Sequence, residues 1–440
     1  MAVTWCSDLP TVNPMSTDYA TADFFRDEDL LRNPYPYFDY LRGQCPVHRE
    51  SRHGVVMVTG YEEAAAIQSD VERFSSCNST VGPFAPFPVP LTGDDVSGLI
   101  DKHRFELPFS DMILSLDPPE HTARRGLLMR LITPRRLKEN EEYMREVAGR
   151  TIDGFIDTGQ CDFIREFATP YTMLVIAELV GVPEEDRDKF TERFGQPADG
   201  GGVGSTSGEA MEDHPLAWLY GEFCKYVEDR RRNPRNDVLT GLATATFPDG
   251  SLPEVLDVVR VATIIFAAGH ESSTRFLTSA LMILAERPDL QRTLRGEPAL
   301  VPNFVEEVLR TESVVKGDFR LARVPAEIAG VAIPAGSHVM LLHGAANRDP
   351  RMFEDPDEFR LHRANARHHM AFGRGIHTCP GAPLVRAEGR VAIECLLART
   401  SDIRISENVH GPAGARRFRY MPSFVLRGLA DLTLEFEPVS

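Results

Sequence analysis

A chain of 440 residues, 42% hydrophobic and 26% charged, has the balance of a globular protein with a core large enough to enclose a cofactor. Its 65 acidic against 48 basic side chains give a net charge of −17, which argues against nucleic acid or an anionic membrane as the main partner. The longest strongly apolar stretch, 258–269, carries Arg260 and is too short to span a bilayer. The first residues have neither the basic start nor the apolar run of a signal peptide. Seven cysteines are scattered without paired spacing, as reduced thiols are, so a cytoplasmic location without a membrane anchor is expected.

In chain order, residues 1–22 are expected to form a weakly ordered tail ahead of a single domain, 23–440. Residues 33–38 (NPYPYF) start a short helix, and 54–60 (GVVMVTG) read as a strand closed by glycine. Segment 77–110 is rich in Pro, Gly and Ser, with Phe84, Phe87, Phe105 and Phe109 among them, and is expected to be a long lid or binding loop. Helical periodicity dominates from 119 to 310. It is interrupted at 198–208, where five glycines predict a mobile connection between two helices.

A long helix is expected to begin at 251–254 (SLPE), with Ser251 as cap, Pro253 in the first turn and Glu254 against the dipole. It should run to 287–288, about 34 residues or 50 Å. In its middle, 267–274 reads AAGHESST. Gly269 costs about 1 kcal/mol relative to alanine there, so the small residues need a reason. One reading is a close helix–helix contact with a solvated Glu271. The other is a groove for a diatomic ligand, with Glu271 and the hydroxyls of Ser272, Ser273 and Thr274 as a proton path. Short β-rich runs over 324–342 and 424–436 indicate a minor sheet. The fold class expected is mainly α with a small β-rich region.

Residues 372–381 read FGRGIHTCPG. Gly373, Gly375 and Gly381 permit the turns that let several backbone N–H groups converge on the sulfur of Cys379. A thiolate so held is a metal ligand or a nucleophile, tuned by the hydrogen bonds it accepts. Phe372 can shield it from water, and His377 can donate to an anion. The spacing F-G-x-G-x-H-x-C-x-G resembles the haem-ligand loop of the cytochrome P450 monooxygenases at all six fixed positions. Six matches by chance have odds of about 10⁻⁸ per start position, which makes accident a poor explanation.

The resemblance extends over nearly the whole chain and implies that family's fold. It implies haem b (iron protoporphyrin IX) with Cys379 as the metal ligand and Phe372, Gly373 and Gly381 around it. Residues 268–272 resemble the family's oxygen-binding motif (Ala/Gly)-Gly-x-(Asp/Glu)-Thr. Ala268 and Gly269 would then border the cofactor while Glu271 and Ser272 relay protons. Ser272 stands where threonine is usual, keeping the hydroxyl but losing the methyl that fixes its rotamer. Two porphyrin carboxylates need cationic partners when partly buried, and the resemblance assigns them His121 and Arg125 (i and i+4 in DPPEHTARR), Arg320 and His377. Glu307 and Arg310 match the E-x-x-R pair that pins the segment under the cofactor loop. Its usual third member, an arginine, is replaced by Glu358, leaving Arg363 or His362 to substitute.

The activity implied is insertion of one oxygen atom from O₂ into a C–H bond of a small or medium apolar substrate of terpenoid, steroid, fatty-acid or natural-product type. Electrons from NAD(P)H would arrive through an external ferredoxin or flavodoxin-type donor. The stretch 121–138 holds six Lys/Arg and no Asp or Glu. It is either an ordinary solvated face or a docking patch for that acidic donor (Arg124 to Lys138). Pocket elements are expected at 77–110, 165–215, 260–272, 312–322 and 421–425. The rivals are a hydrogen-peroxide-driven peroxygenase, a non-catalytic haem sensor or carrier, and a zinc site at His368, His369, His377 and Cys379, whose spacing matches no common zinc pattern.

Overall fold

The protein is described by a computed structural model over residues 19–194, 216–247 and 249–439. The glycine-rich 198–208 segment and residues 1–18 of the expected tail lie outside the described residues. Tyr19 already stacks on Tyr37 and Tyr40, with ring centroids 5.8 and 5.6 Å away, so packing begins there.

The site is framed by helices α1 (Ser97–His103), α2 (Glu120–Leu128), α3 (Pro134–Asp153), α4 (Thr169–Val180), α5 (Ala217–Arg232), α6 (Val255–Glu286), α7 (Val301–Glu312) and α8 (Ala382–Arg399). The strands are β1 (Val47–Arg49), β2 (Val56–Val58), β3 (Phe74–Ser75), β4 (Gln160–Asp162), β5 (Asp318–Ala322), β6 (Ala326–Ile328), β7 (Val331–Ile333), β8 (His338–Leu341), β9 (Thr400–Ile405) and β10 (Thr433–Pro438). They form a five-stranded sheet in the order β1-β2-β8-β5-β3, a three-stranded sheet β4-β10-β9 and the hairpin β6-β7. β2 and β8 pair in parallel across nearly 300 residues of sequence, through Val56–Val339 and Val58–Leu341. The segment 77–110 is irregular as expected but carries α1 within it.

α6 is 32 residues long, about 48 Å, and crosses the domain. Its first turns bury Val258, Val259, Val261, Ala262, Ile265 and Phe266, and its last turns bury Phe276, Leu277, Ala280, Leu281 and Leu284. These two apolar stripes hold it among α4, α5, α7 and α8. Between them, Ala268 is exposed and its neighbours over 267–272 are half-buried, so burial lapses in the middle of a core helix. Its start differs from expectation. The Ser251 hydroxyl donates to Asp249 at 2.6 Å and the Pro253 carbonyl accepts from Arg231 at 2.6 Å. Both therefore belong to the preceding turn, and the helix opens at Val255 with Asp257 in its first turn.

Candidate functional site

Cys379 lies on the loop entering α8. Its N–H donates to the Phe372 carbonyl at 2.8 Å, which closes the loop into a ring around the sulfur. Gly373 and Gly375 sit at φ +62° and +70°. A Cβ on Gly375 would stand 2.6 Å from the Gln68 carbonyl oxygen, a backbone atom that cannot swing away, so only glycine fits. A Cβ on Gly381 would lie 3.6 Å from Cys379 Sγ. Burial pushes the Cys379 thiol up, opposed by the Gly381 amide, then Arg125, the Ala382 amide and Arg386. Left alone it stays protonated, and a metal cation is what makes it a thiolate. The Arg386 guanidinium covers the Phe372 ring at 4.8 Å and is fixed by Glu306 at 2.6 Å, a clamp the sequence did not reveal.

The residues expected to anchor the two carboxylates converge. The His121 and His377 rings stand 4.2 Å apart. Burial, reinforced by Arg125, pushes His121 down to about 4. Burial, reinforced by Arg320 and His121, pushes His377 down to about 3. Both imidazoles are therefore neutral at pH 7. Neither ring nitrogen of buried His121 has a hydrogen-bond partner, which is costly unless a ligand supplies one. Arg125 donates to the Thr378 carbonyl at 2.5 Å, beside Cys379. Arg320 is buried and donates to Asp318 at 2.7 Å. An orphan imidazole, a second imidazole beside it and two guanidiniums next to a thiol are the donor set a porphyrin with two carboxylates requires, so the residues present fit haem.

At the centre of α6 the small residues differ in their surroundings. Ala268 is exposed. Gly269 faces α4, where a Cβ would stand 2.9 Å from Ile176 Cδ1, so its absence of a side chain serves packing. The Ser272 hydroxyl donates to the Ala268 carbonyl at 2.7 Å. Glu271 Oε1 has no hydrogen-bond partner and lies 3.8 Å from Arg275. Ser273 and Thr274 are buried and turned elsewhere. Thr274 meets Thr172 at 2.8 Å, and Ser273 meets Glu388 Oε2 at 2.5 Å. Glu388 went unnoticed in the sequence although it stands on the stripe Leu384, Val385, Val391 and Ala392 that α8 buries. Burial pushes its carboxyl up to about 8, against the Ser273 hydrogen bond.

Glu307 and Arg310 pair twice at 2.8 Å. The third member is Arg363, 2.9 Å from Glu307 Oε1, while Glu358 contributes its carbonyl to Arg310 at 3.0 Å. His369 bonds Glu306 at 3.1 Å and His377 bonds Ser76 at 3.0 Å. Among the described residues no group of three His, Cys, Asp or Glu side chains is placed to hold a metal ion. The basic stretch is divided by the helical turn. Arg124 pairs with Asp257 at 3.0 Å, and Arg136 donates to the Leu131 carbonyl at 3.1 Å. Arg130, Arg135 and Lys138 are exposed, with Arg135 on Glu139 at 2.8 Å.

No helix among the described residues is long and apolar enough to cross a membrane. The cytochrome P450 family model matches residues 225–401. The substrate-free structure of Mycobacterium marinum cytochrome P450 CYP150A6 superposes with a TM-score of 0.91 at 52% identity, over 96% of this chain and 100% of that one. Cytochrome P450 144 of Mycobacterium tuberculosis is 33% identical over 94% of this chain and 91% of its own length. The 6-deoxyerythronolide B hydroxylase of Saccharopolyspora erythraea is 30% identical over 98% of this chain and 100% of its own length. With its thiol loop, its paired imidazoles and similarity over nearly its full length, the chain belongs to the cytochrome P450 family, as a single-domain haem monooxygenase of bacterial type.

Proposed function

We propose that this protein hydroxylates an apolar organic substrate of terpenoid, steroid, fatty-acid or natural-product type, in the cytoplasm, with electrons passed from NAD(P)H through a separate ferredoxin or flavodoxin-type protein. The observation that carries the reading is the Cys379 loop, whose half-buried thiol is flanked by two backbone amides and Arg125, together with the unpartnered nitrogens of His121. Cys379 would hold haem iron, and His121, Arg125, Arg320 and His377 its carboxylates. When bound, haem supplies the redox chemistry that activates O₂, and a thiolate ligand favours O–O cleavage.

The chain's own residues do the rest. Phe372, held under Arg386, keeps water from the sulfur. Exposed Ala268 leaves room beside the middle of α6. Glu271 Oε1, without a hydrogen-bond partner, is the acid nearest the Ser272 hydroxyl in sequence and holds or gives up a proton as it swings from Arg275. Ser272 Oγ must break its bond to the Ala268 carbonyl before it can donate elsewhere. The exposed cations Arg130 and Lys138 carry no ion pair with a carboxylate among the described residues and steer an acidic donor. The test is the carbonyl spectrum of the reduced protein, which should carry the red-shifted Soret band of sulfur ligation. Cys379→His should lose that band and the activity, and a variant with the band unchanged would overturn the reading.

A further inference from the structure

Asp117 stands just before α2, and its carboxylate is more fully engaged than any residue the carboxylate pocket itself requires. Oδ1 accepts the Ser76 N–H at 2.8 Å. Oδ2 accepts the Ser75 hydroxyl at 2.5 Å, Arg104 Nη1 at 2.7 Å and Arg323 Nη2 at 2.7 Å. Asp117, Arg104 and Arg323 are 4%, 6% and 9% exposed, so one carboxylate serves two guanidiniums out of water. Arg104 belongs to the turn after α1, and Arg323 Nη1 also holds Asp101 of α1 at 3.0 Å.

Three connections lead from this knot to the carboxylate anchors. The Asp117 carbonyl accepts the His121 N–H at 3.0 Å. Ser76, fixed by Asp117 through its N–H, bonds His377 Nε2 through its hydroxyl at 3.0 Å. Arg323 follows directly on β5, the strand that carries Arg320. On the other side, α1 does not belong to the main core. It packs in a satellite cluster of Cys77, Val96, Ile100, Leu107 and Leu321, too small to hold the segment 96–107 alone. Leu321 neighbours Arg320, so the satellite and the anchors share one strand.

We propose that Asp117 is a positioning residue that couples occupancy of the carboxylate pocket to ordering of the segment 96–107. The knot sets two carboxylates, Asp117 and Asp101, against the two guanidiniums. A carboxylate-bearing cofactor between His121, His377 and Arg320 fixes both histidines, which tightens Ser76, Asp117 and the two arginines in turn. By linkage, what tightens the segment also tightens cofactor retention. The inference rests on the haem reading above for the identity of that cofactor.

The experiment is hydrogen exchange on peptides covering 96–107, in the haem-loaded and haem-stripped protein, with the carbonyl spectrum recorded on each loaded sample. Loading should slow exchange in 96–107 of the unaltered protein. Asp117→Asn, which leaves buried Arg104 without a counter-charge and Arg323 with exposed Asp101 alone, should speed exchange in the loaded protein by about a hundredfold. It should also speed haem transfer to apomyoglobin while the sulfur-ligated carbonyl band persists. Arg104→Met removes one guanidinium and keeps the Asp117–Arg323 pair, so it tests the same link if Asp117→Asn does not fold. Arg104→Lys should restore most of the protection. Absence of the carbonyl band in the unaltered protein would refute the haem reading itself. A normal band with 96–107 exchange insensitive to loading and to both variants would overturn this inference alone.

Discussion

Glu307→Gln offers the sharpest test of how the cofactor loop is held. The Glu307 and Arg310 side chains are 0% exposed. Glu307 accepts from Arg310 Nε and Nη2 at 2.8 Å, from the Arg360 N–H at 2.9 Å and from Arg363 Nε at 2.9 Å. Arg310 spans outward to the carbonyls of Asn347, Pro356 and Glu358 at 3.0, 2.7 and 3.0 Å, lacing the segment that leads to Cys379. Glutamine keeps the shape but leaves two buried guanidiniums without a counter-charge, a loss of about 3–5 kcal/mol. With unfolding entropy of roughly 2.1 cal/mol/K per residue, that lowers the melting temperature by about 3–5 °C, read by calorimetry at fixed scan rate and haem content. Burial raises the Glu307 carboxyl, but Arg310, the Arg360 amide and Arg363 pull it to a net position below its ordinary 4.5. Its stabilisation is therefore in place above pH 4.5 and lost as pH falls further. The difference between the two proteins should shrink in acid. The double change Glu307→Leu with Arg310→Met should cost less than the sum of the single changes. A shift below 1 °C, or strictly additive losses, would refute the argument.

Glu388 gives the opposite pH signature. Its folded-state value of about 8 lies above the ordinary 4.5, so the stability it allows is full below pH 4.5 and lost as pH rises towards 8. Glu388→Gln should be more stable than the unaltered protein at pH 8 by about 3–5 kcal/mol, and equal stability at pH 8 in urea titrations would contradict its burial as an acid. Ser272→Ala should release more peroxide per NAD(P)H consumed, and Ser272→Thr less. Identical coupling in all three proteins would move the proton path to other groups. Arg130 and Lys138 changed to Glu should slow reduction by an acidic ferredoxin at least several-fold at low salt. The effect should fade near 0.15 M, where screening acts over about 8 Å, and a salt-independent rate would place docking elsewhere. Arg124 is not a useful site for that test, because it is already paired with Asp257.

Local patterns carried the family and much of the site. The Cys379 loop is legible because its chemistry lies in ten consecutive residues, with glycines where the backbone admits nothing else, as the Gln68 carbonyl at Gly375 makes plain. The His121 and Arg125 spacing was readable from helical periodicity, and so was the span of α6. Its first turn was not, because Ser251 and Pro253 find partners in Asp249 and Arg231 instead of the helix end.

What remained hidden depends on partners distant in sequence. No local pattern distinguishes Ala268, which is exposed, from Gly269, which packs on Ile176, since α4 supplies the difference. Arg363 over His362 as partner to Glu307 was settled by the approach of two loops. Of six consecutive-looking cations, the helical turn and neighbours such as Asp257 left Arg130, Arg135 and Lys138 outside. Asp117 joins residues 42, 13 and 206 positions away. The sequence by itself determined which chemical groups the protein owns and the short-range geometry of its thiol loop. Tertiary structure decided which charges are buried, paired or free, because a charge's energy is set by the dielectric and the partners around it, and those come from elsewhere in the chain.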